Sequence, residues 1–476
     1  MRCPAAILLV ALFLFSALAV RAEEPALDEL TAAFSAKVLG SAVFVSGREK
    51  DEALENSVFV LARMTGHKPD DFTKIVVNRE KKEVAVTVKN SYTRTARFYG
   101  DQGMIILPKG AEDVFFTPVK LASTLPDPAT QEWPMGDMLP DAPLPASIDR
   151  AKLDEAVEAV FKPENLTAAF VVVHNGRIIA ERYGAGAHQD MPLESWSMGK
   201  SLTAILYGRM ARQEADWNPD RPAPIEAWQG EGDPRAKIRI ADLFHMSSGL
   251  KFSSAGDPPG EWGQAHPDHI YVYSGAINVY EFCLDKPAEH PPNTVGRYRN
   301  CDPLLVGYLL KQAVEARGES YLEFPRKHLF DKLGIRHTVL ETDPYGNFIL
   351  TGFDYGSARD WARLGMLMVQ DGVWQGERLL PEGFVEFVSS PAPAWERGQY
   401  GGLFWLNTGK TLPKTAYNMA GQGGQHVYIV PSHNLVVVRM GHQAGDRALG
   451  PNLNQALGLV MEAIDPDWKV GSQEVK

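Results

Sequence analysis

The sequence contains no Gly-x-Ser-x-Gly, the strand–turn–helix element that presents the nucleophile of α/β-hydrolases. It also contains no His-Glu-x-x-His, the helical zinc pair of many metalloproteases. Both absences argue against those hydrolase classes. Cysteine is scarce: Cys3, Cys283 and Cys301 are the whole supply. Positive charge is in the minority, with 48 Lys and Arg against 59 Asp and Glu and a formal net charge of −11. Such a balance argues against a nucleic-acid partner. After residue 22 no apolar run reaches the roughly 20 residues that a bilayer span needs. There is no internal repeat and no low-complexity tract.

What is present begins with Met1-Arg2, an apolar run from Ala5 to Val20 broken only by Ser16, and then Arg21-Ala22. A short basic start, a core of that length and a small residue at the cut make residues 1–22 a secretory signal peptide, expected to be cleaved after Ala22. Cys3 precedes the core, so it is not placed like a lipid-attachment cysteine. Cleavage removes Arg2 and Arg21 and leaves 454 residues at a net charge of −13, exported to the periplasm or the medium with no stable membrane span. That length suits two or three domains. Cys283 and Cys301 then remain, and in an exported protein a disulfide between them is expected.

Residues 23–123 read as an N-terminal α+β domain. A helical stretch near Leu27–Lys37 precedes four short alternating runs, Lys74–Asn78, Glu83–Val88, Thr93–Tyr99 and Met104–Leu107, which predict an antiparallel meander. No catalytic grouping occurs there, so a structural or partner-docking role is expected. Residues 124–146 carry Pro126, Pro128, Pro134, Pro140, Pro143 and Pro145, too many for helix or central strand, and predict an extended linker. From residue 147 to the end the pattern changes. Ala169–His174 and Arg177–Tyr183 flank Asn175-Gly176, a strong hairpin signal. Residues 203–330 read as mostly helical with long loops. A helix is predicted over Gly356–Asp371, a hairpin over His426–Val430 and Leu435–Met440, and a terminal helix over Asn452–Ile464. Strands at both ends with helices between predict an α+β fold: one antiparallel sheet flanked by helices, plus a mostly helical subdomain.

The chemistry concentrates in three places. Met198, Leu202, Ile205, Leu206 and Met210 mark one face of a helix, which puts Ser197 and Lys200 on neighbouring positions of its first turn. An amine beside a hydroxyl can take its proton, and a helix start favours developing negative charge. A second Ser-x-x-Lys, Ser248 to Lys251, has Gly249 directly after the serine and no helical pattern following. The second place is Tyr298-Arg299-Asn300, just before Asp302-Pro303, where Asp302 is the expected N-cap and Pro303 the first helical residue. Here a tyrosine beside a lysine can have its pKa lowered and carry protons, and an asparagine can bind both the lysine and a substrate carbonyl. The third is Gly421-Gln422-Gly423-Gly424, leading into a strand, where glycines admit a substrate and N–H groups can form an oxyanion hole. His266-Pro267-Asp268-His269 reads as a surface loop because of Pro267, and no metal or cofactor is expected.

The ordered set Ser197-x-x-Lys200, Tyr298-x-Asn300 and Met419-Ala420-Gly421 resembles the serine β-lactamase and DD-peptidase superfamily, most closely the class C β-lactamase-related esterases, amidases and 6-aminohexanoate-dimer hydrolases. Ile240–Leu250, with Asp242-Leu243-Phe244-His245-Met246-Ser247-Ser248-Gly249-Leu250, resembles that group's DLL-x-H-x-SGL signature. Val171–Arg177 resembles its first core hairpin and Ser357–Gly365 its later helix. The likeness covers about residues 147–465. It implies a transpeptidase-like fold in which Ser197 forms an acyl-enzyme, Lys200 is base or relay, Tyr298 shuttles the proton and Asn300 orients Lys200 and substrate. It implies an oxyanion hole at the N–H groups of Ser197 and Gln422, beside Gly421. The third motif often begins with Lys or His in the superfamily, and this chain has Met419 there. A substrate carboxylate therefore loses its usual cation, which favours a small ester, amide or short peptide recognised without it. The contrasting expectation is a non-catalytic exported binding or scaffold protein that keeps the fold. The oligomeric state is not legible.

Overall fold

The computed structural model describes residues 25–470 apart from 255, 262–264, 408 and 410. The signal-peptide expectation for residues 1–22 lies outside them. No helix among the described residues is long and apolar enough to cross a membrane.

The chain opens with α1, Leu27–Phe44, longer than its predicted Leu27–Lys37 and buried nearly all round. A helical run follows through Lys50–Ala53, Leu54–Val58, Phe59–Ala62 and Arg63–Thr65. The meander then forms as β1 Phe72–Asn78, β2 Glu83–Val88, β3 Tyr92–Phe98 and β4 Met104–Ile106, antiparallel in that order. Alternation works here as strand periodicity requires: Val84, Val86 and Val88 turn inward onto α1, and the residues between them are partly exposed. This unit is no detached docking module. Phe34, Leu39 and Leu61 belong to the same hydrophobic core as Met198 and Leu202.

The proline-rich segment is only partly extended: it makes one helical turn at Pro128–Thr130 and a second turn closed by Gly136 N donating to Glu132 O at 2.8 Å, and it is clamped. Arg363 donates to Pro134 O at 2.7 Å and Gly136 O at 2.8 Å, and Arg359 donates to Asp137 O at 2.9 Å. Arginine forks satisfy backbone carbonyls that proline-rich chain cannot pair in a ladder.

The main sheet carries β5 Thr167–His174, β6 Arg177–Tyr183, β10 Trp405–Leu406, β11 Tyr417–Gly421, β12 Gln425–Val430 and β13 Leu435–Gly441. Among the described residues the order is β10-β11-β12-β13-β5-β6, antiparallel throughout. Both faces are covered, so β5 is a continuous apolar run. Phe170 and Val172 face the helices Arg150–Val160 and Asp446–Ile464, whereas Val171 and Val173 face the catalytic core. A small sheet joins β7 Leu193–Glu194, β9 Asp354–Gly356 and β8 Val339–Leu340. The terminal helix begins at Asp446 and not Asn452, and Pro451 lies inside it, where it withholds one N–H from the helical ladder.

Two local expectations shift. The helix predicted to start at Asp302-Pro303 runs Cys301–Ala316, with Asn300 as N-cap. Asp302 is free of capping duty because it accepts from Ser248 N at 3.2 Å and Ser248 Oγ at 2.7 Å, tying the second Ser-x-x-Lys loop to this helix. Lys251 of that loop is exposed, so the pair is not a nucleophile and base. Cys283 and Cys301 are buried free thiols and not a disulfide; Cys301 Sγ instead faces Cys283 O at 3.8 Å.

Candidate active site

Ser197 follows Trp196, which is held at a φ of +50°, and caps the helix Met198–Glu214. A bulky residue in the left-handed region costs about 1–3 kcal/mol and persists only where packing over-determines it. Here Trp196 is wedged between Phe34 and Phe353, with ring centroids 6.2 and 5.6 Å away. The bend it makes turns the chain from β7 into the helix and leaves Ser197 lining a cavity of about 310 Å³.

Lys200 lies one turn on and is 1% exposed. Its Nζ sits 2.9 Å from Ser197 Oγ and donates to Thr351 O at 3.0 Å. Burial pulls its pKa down to about 7, opposed by the Asp354 carboxylate. An uncharged Lys200 can keep an N–H on Thr351 and offer its lone pair to the serine hydroxyl. Thr351 O also accepts from Tyr273 OH at 2.6 Å. Asp354 is buried beneath the helix start, accepts from Ser195 Oγ, and is pushed up to about 7 by burial. Gly199 is required there: a Cβ would stand 2.0 Å from Asp354 Oδ1.

Tyr298 comes to the same place from the loop before Cys301–Ala316. Its ring stacks on Trp405 at 5.2 Å and lies 4.8 Å from Lys200 Nζ. The expectation of a lowered phenol pKa is overturned. Burial pushes it well up, and the contact with Ser197 opposes this only in part, so the phenol is neutral. Asn300 is not the hydrogen-bond partner of Lys200. Its Nδ2 meets His269 Nδ1 at 3.3 Å, and the position beside Lys200 is taken by Thr351 O.

His269 lies on the helix Asp268–Ser274, so the His-Pro-Asp-His segment is no surface loop. Asp268 pairs with Lys286 at 2.6 Å, while burial, reinforced by Lys200, pulls His269 down to about 3. A neutral imidazole therefore faces the cavity.

The far wall is Ala420, Gly421 and Gln422. A Cβ on Gly421 would fall 2.0 Å from Ser195 O and 3.1 Å from Ser197 N, so only glycine lets the strand end meet the nucleophile's backbone. Met419 is fully buried in β11. Among the described residues lining the cavity none is Asp, Glu, Lys or Arg.

Thr351, Asp354, Tyr273 and Trp405 were not singled out from the sequence. They lie in segments without a motif, and nothing local marks a carbonyl as a hydrogen-bond acceptor for a lysine far along the chain.

A serine beside a buried amine and a buried phenol, at the junction of a helix start and an antiparallel sheet, makes this a serine hydrolase. Residues 153–460 match the family model described as Beta-lactamase, and the chain belongs to that family. It is 23% identical over 297 residues to 6-aminohexanoate-dimer hydrolase of Paenarthrobacter ureafaciens, covering 58% of this chain and 73% of that one. Among solved structures, a Bacillus anthracis protein provisionally named 6-aminohexanoate-dimer hydrolase superposes with a TM-score of 0.53 at 20% identity, over 65% of this chain and 82% of the other. A family VIII carboxylesterase superposes with a TM-score of 0.50 at 14% identity, over 67% of this chain and 98% of the other. The fold is thus shared with both.

Proposed function

We propose that this chain is an exported hydrolase that cleaves an ester or amide of a small substrate, without a carboxylate anchor, through an acyl-enzyme on Ser197. The observation that carries this is the 2.9 Å approach of Lys200 Nζ to Ser197 Oγ in a site dry enough to bring the amine near neutrality. The neutral amine takes the Ser197 proton as Oγ attacks the carbonyl carbon. The oxyanion forms against the N–H groups of Ser197 and Gln422, and losing one such donor typically costs about 3–4 kcal/mol of transition-state stabilisation. Tyr298, a neutral phenol, donates its proton to the leaving oxygen or nitrogen as it receives the one held by Lys200. The C–O or C–N bond then breaks. Water attacks the acyl carbon, its proton passes back to the same relay, and Ser197 leaves with a proton restored.

The cavity chemistry supports an uncharged substrate, because no described lining residue offers a cation and Met419 is buried where the superfamily often has Lys or His. The names of the relatives, a 6-aminohexanoate-dimer hydrolase and a carboxylesterase, agree with hydrolysis of a small acyl compound. Export rests on the pattern of residues 1–22. A fluorophosphonate probe tests the serine: wild type is labelled and Ser197→Ala is not. Folded wild type that resists labelling and turns over no ester or amide favours the non-catalytic binder. Sequencing of the mature N-terminus tests export, and a chain that still begins at Met1 refutes it.

A further inference from the structure

We infer that the N-terminal unit, which lies outside the region matched by the family model, forms part of the substrate site and selects for an apolar aliphatic or aromatic group. This rests on the serine-hydrolase reading of Ser197. Phe34 of α1, Leu61 and Met64 line the same cavity as Ser197 and Tyr298. Phe34 and Leu61 are buried, whereas Met64 is 39% exposed at the rim, where Gln422 Nε2 approaches its Sδ at 3.5 Å. A residue of the expected oxyanion hole thus touches the N-terminal unit directly.

Two buried ionic anchors prevent this wall from being incidental. Lys37 pairs with Glu341 at 2.6 Å, and Glu341 also accepts from Ser41 Oγ at 2.7 Å and Met104 N at 2.9 Å. Glu341 N donates to Phe353 O at 3.0 Å, beside the strand that carries Asp354. On the other side, Ser57 Oγ donates to Glu194 at 3.2 Å, and Arg48 stands 3.8 Å from the same carboxylate, three residues before the nucleophile. The helices that supply Phe34, Leu61 and Met64 are therefore joined rigidly to both segments that position Ser197 and Lys200.

Trp196 and Tyr273, both packed against Phe34, and Trp405 line the same cavity, so a bound group meets aromatic faces together with the Leu61 and Met64 side chains. A thioether on a flexible stem adapts to alkyl and aryl shapes alike. Each methylene seated there is worth about fourfold in kcat/KM.

The experiment compares kcat/KM for p-nitrophenyl acetate, butyrate, hexanoate and octanoate, with fluorophosphonate labelling of Ser197 alongside. Wild type is expected to favour hexanoate over acetate by about tenfold or more. Met64→Trp, which fills the rim, is expected to lower that ratio by about tenfold. Leu61→Ala, which enlarges the wall, is expected to raise octanoate relative to hexanoate. Each ratio is taken within one preparation, so partial loss of folded protein cancels. A flat wild-type series, or ratios unmoved in both variants while Ser197 labels and turns over, overturns this inference alone. Wild type that neither labels nor turns over removes the serine-hydrolase reading and this inference with it.

Discussion

Lys200 Nζ lies 3.0 Å from the carbonyl oxygen of Thr351, and that bond, not one from Asn300, aims the amine at Ser197. Because burial brings Lys200 down to about 7, kcat/KM is expected to rise as pH passes upward through about 7, where the amine loses its proton. The Asp354 carboxylate favours the charged amine, so Asp354→Asn should move that midpoint lower. Lys200→Ala should cut kcat by about a thousandfold. A pH–rate series on the three proteins checks this, and an upward shift in Asp354→Asn contradicts it.

Tyr298→Phe keeps the stacking on Trp405 and removes only the proton carrier. A loss in kcat of about 10²–10⁴, with thermal unfolding close to wild type, is expected. The raised phenol pKa adds a spectroscopic check: no tyrosinate band from Tyr298 should appear across the pH range of activity.

Gly421→Ala forces a methyl group against Ser195 O. We expect a stability loss of about 1–3 kcal/mol and a larger loss of kcat, since the strand end must withdraw from Ser197 N. Denaturant titration and steady-state kinetics separate the two effects. Wild-type values in both mean that the strand end does not need that close approach.

The Lys37–Glu341 pair is buried on both sides. Removing one partner strands the other, so Lys37→Met and Glu341→Gln should each cost about 3–5 kcal/mol. The double variant should recover a substantial part of the summed loss, because it buries no lone charge. A double-mutant cycle measures this coupling, and simple additivity contradicts it.

Cys283 and Cys301 are buried free thiols, and burial pushes the Cys301 thiol well up. Thiol titration of the non-reduced protein should find both unreactive when folded and both reactive in denaturant. A persistent absence of reactive thiols in denaturant means that the pair is bridged.

Much of this molecule was legible from short-range pattern. The β5–β6 hairpin follows from Asn175-Gly176, and Glu83–Val88 forms the strand its alternation announced. The helix Ala358–Val369 starts at a Ser357 cap, two residues inside the predicted Gly356 boundary. Errors arose where a side chain had two possible partners. Asp302 looked like an N-cap, but it is spent on Ser248, and the helix begins two residues earlier. His269 looked like part of a loop because Pro267 precedes it, yet that proline simply stands before a helix.

The amino-acid order alone placed Ser197 and Lys200 one turn apart, since helical periodicity is a local property and needs no other segment. It also put glycine at 421, where the strand end meets the nucleophile. Only tertiary structure made the pair reactive. The depressed Lys200 pKa comes from desolvation by Tyr298, Thr351 and their neighbours, and the apolar wall comes from Phe34, Leu61 and Met64, which begin more than a hundred residues upstream. Exclusion of water from a charged group is a property of the closed assembly of segments, so no spacing along the chain can encode it.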